Sequence, residues 1–276
     1  MPIDPATAVG AELPGRDLSW DSTDVLLYHL AVGAGPDELS YVYEDALRGV
    51  LPTFATVATT LRDTDPPAVK MPGIDVDLAR VVHGRQELVL HRPIPVTGHC
   101  RARSRIAAVH DKGTAAVIVT ETVTDLFTSR NTIFAKGEGG FGGDRGPSTK
   151  VPVPDRAPDH EVLSPTDPRQ ALWYRLCGDR NPLHVDPAFA HRAGFPRPIL
   201  HGLCTYAVVA KAAIDAEFDG DPDRLGGYSA RFAGVVFPGE TLRTRIWRED
   251  GRLVLLTTVA DRDDVPALAD SVITPR

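Results

Sequence analysis

Long apolar runs are missing from this 276-residue chain. No stretch approaches the ~20 apolar residues that a membrane-crossing helix needs, so no membrane segment is expected. Nor does the N-terminus (MPIDPATAVGAELPG) show the basic head and apolar region of a secretory signal. Cysteine is scarce. Cys100, Cys177 and Cys204 are widely spaced, without metal-ligand spacing, and suit a reducing compartment. Cytoplasm is therefore the expected location. Excess positive charge is lacking too. A formal net charge of −7 argues against general nucleic-acid binding, which needs a basic footprint. A local group of arginines could still meet an anionic small ligand. What remains is an ordinary globular composition, 42% apolar and 24% charged, long enough for one large domain or two smaller ones.

Proline is not scarce, and its placement divides the chain. Gly143 to Pro168 contains Pro147, Pro152, Pro154, Pro158, Pro165 and Pro168, which resist both helix and central strand. The expected organisation is an N-terminal half over residues 1–145, a linker over 146–168 and a C-terminal half over 169–276. Both halves repeat one rhythm. His91 to Asp125 and Arg231 to Asp261 each place a Pro shortly before a Gly and then an alternating segment. A polar turn follows (Asp111-Lys112-Gly113, or Glu249-Asp250-Gly251), then a β-branched run, which predicts a long antiparallel hairpin in each half.

Helices are expected ahead of the strands. Ser22 or Thr23 can cap a mostly apolar segment through Val32, and Thr53 to Leu61 suggests a second helix. Pro168 to Cys177 reads as a helix stopped by Gly178. Another begins at Asp186 as N-cap, with Pro187 in its first turn, and ends at Gly194. The run Gly202 to Phe218 spaces Leu203, Tyr206, Ala207, Ala210, Ala213 and Ile214 as a buried helix does. A sheet curled around such a helix, built twice, is the architecture these parts suggest.

The chemistry concentrates at Tyr174-Arg175-Leu176-Cys177-Gly178-Asp179-Arg180-Asn181-Pro182-Leu183-His184. Gly178 and Pro182 constrain a loop that can aim Asp179 and His184 into one pocket. A carboxylate beside an imidazole can activate water near neutral pH. Such a spacing taken alone more often means a cap and a surface histidine. Downstream, Gly202 opens the apolar helix, where free backbone N–H groups can meet a ligand oxygen. A thioester carbonyl gaining enolate character would be stabilised there.

The run YRLCGDRNPLHVDPAFAHRAGFPRPILHGLCTYA resembles the signature of the hydratase 2 branch of MaoC-like proteins, the (R)-specific 2-enoyl-CoA hydratases. It is similar in particular to the hydratase portion of multifunctional enzymes of that branch. Upstream, YHLAVGAGPDELSYVYE, LPTF, VVHGRQELVLHRPIP, HDKG and GEGGFGGDRG extend the resemblance over nearly the whole chain. It implies an α+β fold, a double hotdog of two antiparallel sheets each wrapping a central helix. It also implies an acyl-CoA thioester substrate, no metal or other cofactor, and a homodimer. The family's catalytic Asp and His fall on Asp179 and His184, its Asn on Asn181 and its oxyanion glycine on Gly202. Tyr28, Glu44 and Tyr174 match functional positions of the branch, though each also has a plain structural role. Gly139, Gly140 and Phe141 would lie along the coenzyme, and Arg197 would meet its phosphates. Ala31 stands where the family often has Gly, and Arg85 where it often has Glu. Dehydration of an acyl-carrier-protein substrate, thioester hydrolysis and non-catalytic acyl binding are the alternative readings.

Overall fold

A computed structural model describes residues 3–148 and 150–276. Its strands are β1 (Glu12–Trp20), β2 (Val69–Met71), β3 (Ile74–Val76), β4 (Val81–Leu90), β5 (Gly98–Asp111), β6 (Ala115–Val123), β7 (Phe127–Lys136), β8 (His160–Pro165), β9 (Leu225–Phe232), β10 (Thr241–Glu249), β11 (Arg252–Val259) and β12 (Val265–Pro275). Both expected hairpins are present. β5 and β6 turn through Lys112-Gly113, with Gly113 at φ +87°. β10 and β11 turn through Asp250 and Gly251, both at positive φ, the backbone that two-residue hairpin loops require.

Ten of these strands form a single antiparallel sheet in the order β1-β5-β6-β7-β4-β9-β12-β11-β10-β8. The order is a palindrome. If the five long strands of each set are lettered a to e in chain order, the sheet reads a-c-d-e-b and then b-e-d-c-a. The two expected sheets are continuous: the b strands, β4 and β9, pair from Arg85↔Arg231 to Val89↔Gly227 and join the two sets edge to edge. Facing arginines at such a seam repel. Each is compensated locally, Arg85 by Glu87 at 2.9 Å and Arg231 by Asp270 at 2.6 Å.

In both sets the main helix lies in the connection from strand a to strand b. The C-terminal one, Gly202–Glu217, is buried at every position from Leu203 to Ile214 and packs against β8, β9 and β10. Alanines and valines on all its faces let the strands approach closely, and each buried Val or Leu contributes ~1.5–3 kcal/mol. Lys211, the one charged residue in that buried run, is tied to Glu38 and, at 2.9 Å, to Asp215. The N-terminal helix, Ser22–Ala31, is capped by Asp21 rather than Ser22 or Thr23. The Asp21 side chain accepts from the Thr23 and Asp24 N–H groups while Asp24 accepts from Asp21 N–H, a reciprocal capping box.

Two other expectations need correction. Thr53–Leu61 is not one helix but a 3-10 turn (Pro52–Phe54) followed by Ala55–Ala58. Within the proline-rich linker, β8 forms a six-residue edge strand on β10, with Pro165 closing it. An edge position tolerates proline because one side of the ladder is unpaired.

Candidate active site

The chain turns sharply after the short helix Gln170–Tyr174 and the 3-10 turn Arg175–Cys177. Gly178 stops it at φ +107°, where a Cβ would lie 1.9 Å from the Thr60 carbonyl oxygen, so only glycine fits. Asp179 follows at once. Asn181 accepts from Leu183 N–H at 3.0 Å, capping the turn Pro182–His184, and its own N–H donates to Asp179 Oδ1 at 3.2 Å. Asp186 then caps Pro187–Arg192 as expected. The returning chain brings the Ile199 carbonyl 2.9 Å from His184 Nδ1.

That last contact settles a tautomer. A carbonyl only accepts, so His184 Nδ1 carries the proton and Nε2 keeps its lone pair. Burial is the main cause holding His184 below the usual histidine range, against the opposing pull of Asp179. Burial also pushes against ionisation of Asp179. His201, His184 and His83, with the Asn181 N–H, outweigh it and leave the carboxyl below its ordinary value. His201 is held well below the histidine range, first by burial and then by His184. Its Nε2 donates to the Asp179 backbone carbonyl at 3.3 Å, and its ring stacks on His184 at 3.7 Å. These directions favour a carboxylate beside imidazoles that hold their protons weakly.

Asp179, His184 and His201 each place one ligand-capable atom within 4.8 Å of the others. The two rings stack at 28°, and each already has one nitrogen engaged with a backbone carbonyl, His184 Nδ1 with Ile199 and His201 Nε2 with Asp179.

A cavity of about 350 Å³ opens beside this cluster and is lined by Asp179, Asn181, His184 and Gly202 together. Gly202 begins its helix with no side-chain cap, so the first-turn N–H groups remain available at the cavity wall. A Cβ on Gly202 would press on the Phe232 ring at 3.1 Å. Val57, Val69, Val81 and Ile133 supply an apolar part of the wall from the N-terminal half.

Tyr174 also lines the cavity, its ring 4.8 Å from His201. The remaining expected residues are not brought there. Tyr28 is fully buried behind Tyr174, 6.2 Å between rings. Glu44 sits exposed on a 3-10 turn. Arg197 is exposed and stacks over Phe237 at 4.5 Å. The glycine-rich segment is engaged elsewhere: the Asp111 carboxylate accepts from the N–H groups of Gly113 (2.7 Å), Gly140 (2.9 Å) and Gly142 (2.6 Å). Gly139 fits there only without a side chain, since a Cβ would lie 2.6 Å from Ala115 N, and Phe141 packs into a second, smaller core. His83, Asn131 and His201 were not singled out in the sequence, although His83 and His201 stand inside the motifs VVHGR and LHG.

Comparison with known proteins places the whole chain in one family. Residues 18–139 match the MFE-2 hydratase 2 N-terminal domain, and residues 149–265 match the MaoC like domain. The enoyl-CoA hydratase ChsH3 of Mycobacterium tuberculosis is 50% identical over 286 residues, covering 100% of both chains. Peroxisomal multifunctional enzyme type 2 of Mus musculus is 37% identical over 270 residues, 94% of this chain and 37% of that one. The crystal structure of a MaoC-like dehydratase from Phytophthora capsici superposes with a TM-score of 0.88 at 26% identity, covering 99% and 98% of the two chains. The chain belongs to the MaoC-like family. Within it, the pairing of the two matched domains places it with the hydratase 2 proteins.

Proposed function

We propose that this protein catalyses the reversible hydration of a trans-2-enoyl-CoA to the (3R)-3-hydroxyacyl-CoA. One observation carries the reading: a carboxylate and a neutral imidazole with a free Nε2 share a cavity with an uncapped helix start. In the mechanism, the thioester carbonyl accepts hydrogen bonds from Gly202 N–H and its neighbours, which draws electrons away from C3. Asp179 and His184 hold a water between them and take one proton as its oxygen bonds to C3. Asn181 fixes the Asp179 carboxylate through its backbone N–H. The same acid–base pair returns the proton to C2, so the elements of one water are added and no covalent enzyme intermediate is needed. A donor at the oxyanion position is worth about 3 kcal/mol of barrier lowering.

The relation to hydratase 2 proteins supports both the enoyl-CoA substrate and the 3R configuration. The palindromic strand order and the two family matches, which end and begin at residues 139 and 149, support a double hotdog. Its halves are residues 1–145 and 169–276, joined through 146–168, which also supplies β8 as the edge strand of the second set. A cytoplasmic homodimer completes the reading, in keeping with three free, buried cysteines and no helix long and apolar enough to cross a membrane among the described residues.

The deciding experiment follows loss of enoyl absorbance over a panel of trans-2-enoyl-CoA esters, with chiral analysis of the product. A (3S) product would overturn the stereochemical assignment. Release of free thiol without loss of the double bond would point to thioester hydrolysis, and turnover of carrier-protein thioesters alone would replace the CoA substrate.

A further inference from the structure

One polar group in the cavity takes no part in this mechanism and comes from the opposite strand set. β4 carries an irregularity at Gly84: His83 pairs with Ile133 and Arg85 with Thr132, leaving Gly84 as an extra residue. Residues directly opposite in an antiparallel pair share a face, and a bulge shifts that alternation by one. Without it, residue 84 would face the cavity and His83 the other side of the sheet. With it, His83 shares the face of Asn131 and Ile133, and all three line the cavity.

The ring is held. The Asn131 side-chain amide donates to His83 Nε2 at 3.4 Å, which puts the imidazole proton on Nδ1. Phe232 lies against the ring at 5.7 Å between centroids, and the same Phe232 flanks Gly202. His83 is also close enough to Asp179 for the carboxylate charge to act on it. The wall around it carries Val57, Val69, Val81 and Ile133, with Thr56, Thr59 and Thr60 also in the lining. A polar side chain placed in such a wall loses hydration unless the bound ligand offers it a partner. The reacting part of the substrate has two oxygens. The helix start at Gly202 meets the carbonyl oxygen; the oxygen at C3 gives its protons toward Asp179 and His184 and keeps a lone pair for a further donor.

We propose that His83 donates a hydrogen bond to the oxygen at C3, as attacking water in one direction and as substrate hydroxyl in the other. This rests on the hydration reading above. The N-terminal half thereby supplies a contact to the reacting atoms, and the Gly84 bulge is the device that aims it.

The test compares two ligands that differ only in that oxygen, (3R)-3-hydroxyoctanoyl-CoA and octanoyl-CoA, titrated in an Asp179→Asn background to stop turnover. His83→Phe should weaken the hydroxylated ligand about ten-fold and the saturated one less than about two-fold, the effect of one lost hydrogen bond. His83→Asn, which keeps a donor, should recover part of the loss. Asn131→Leu, which releases the ring without removing it, should show a smaller loss with the same ligand preference. Equal weakening of both ligands, or of neither, in variants with parental thermal unfolding overturns the assignment. Turnover of trans-2-enoyl-CoA by the parent, measured alongside, reports on the hydration reading separately. An active parent with equal losses rejects His83 alone.

Discussion

The two halves share a strand order, yet their main helices begin in opposite ways. Ser22–Ala31 closes its first turn on itself through Asp21 and Asp24, and Arg62 locks Asp24 at 2.7 Å. Gly202–Glu217 starts with no side-chain cap and opens onto a cavity beside Asp179 and His184. One helix start is consumed in stability. The other is left open at the cavity wall. The same division appears in the histidines at their flanks. His29, in the capped helix, uses both ring nitrogens on backbone, Nδ1 to the Tyr41 carbonyl at 2.8 Å and Nε2 from Leu51 N–H at 3.1 Å. His184 spends only one. A free helix terminus and a half-used histidine, side by side, distinguish the half bearing Asp179 and His184 from the other.

Breaking the open half should have the largest effect. Asp179→Asn and His184→Ala should each lower kcat by roughly two to four orders of magnitude, the range of general acid–base catalysis. The double variant should be little worse than either single one, because the groups act on one water. Steady-state kinetics on all three, with circular dichroism to confirm folding, check this. Near-normal turnover in folded Asp179→Asn would remove the mechanism. Next, Gly202→Pro deletes an N–H at the open helix start and should lower kcat roughly a hundred-fold. Gly202→Ala keeps that N–H and only crowds Phe232, so it should lose less. Equal losses would mean that packing, not the N–H, is what Gly202 provides.

The closed half should answer in stability instead. Burial, against the Tyr41 carbonyl bond, lowers the His29 pKa from 6.5 to about 4. The native state therefore prefers neutral His29 while the unfolded chain protonates first, so this contribution is whole above pH 6.5 and fades as pH falls toward 4. Urea midpoints across that window should fall with pH, and a His29→Gln variant, less stable throughout, should show a flatter slope. The smallest effect belongs to Asp21→Ala, which should remove about 1 kcal/mol of stability and leave kcat unchanged. A change in kcat there would mean that the two helix starts are not functionally distinct.

Local features of this fold are legible in the sequence because local chemistry decides them. Asp250-Gly251 and Lys112-Gly113 specify their turns, Asp186-Pro187 starts a helix, and Gly178 and Gly202 mark the loop and helix of the site. Asp179, Asn181, His184 and Gly202 reach one cavity for that reason. What is not legible depends on partners distant in the chain. The β4–β9 seam is a choice between edges that no single strand encodes. His83 looks outward by simple alternation and faces inward only because Gly84 is an extra residue. The glycines of GEGGFGGDRG give no local sign that the Asp111 carboxylate, from another hairpin, takes the N–H groups of Gly140 and Gly142. Resemblance alone could not show that Glu44 and Arg197 lie outside the cavity lining, since exposure is set by tertiary placement.

The seam has a kinetic consequence. A cavity assembled from two separate subunits comes apart on dilution, because each wall must find the other. Here β4 and β9 belong to one chain, so the wall bearing Val57 and His83 meets the wall bearing Asp179 at a fixed effective concentration. Completion of the cavity is therefore first order in protein.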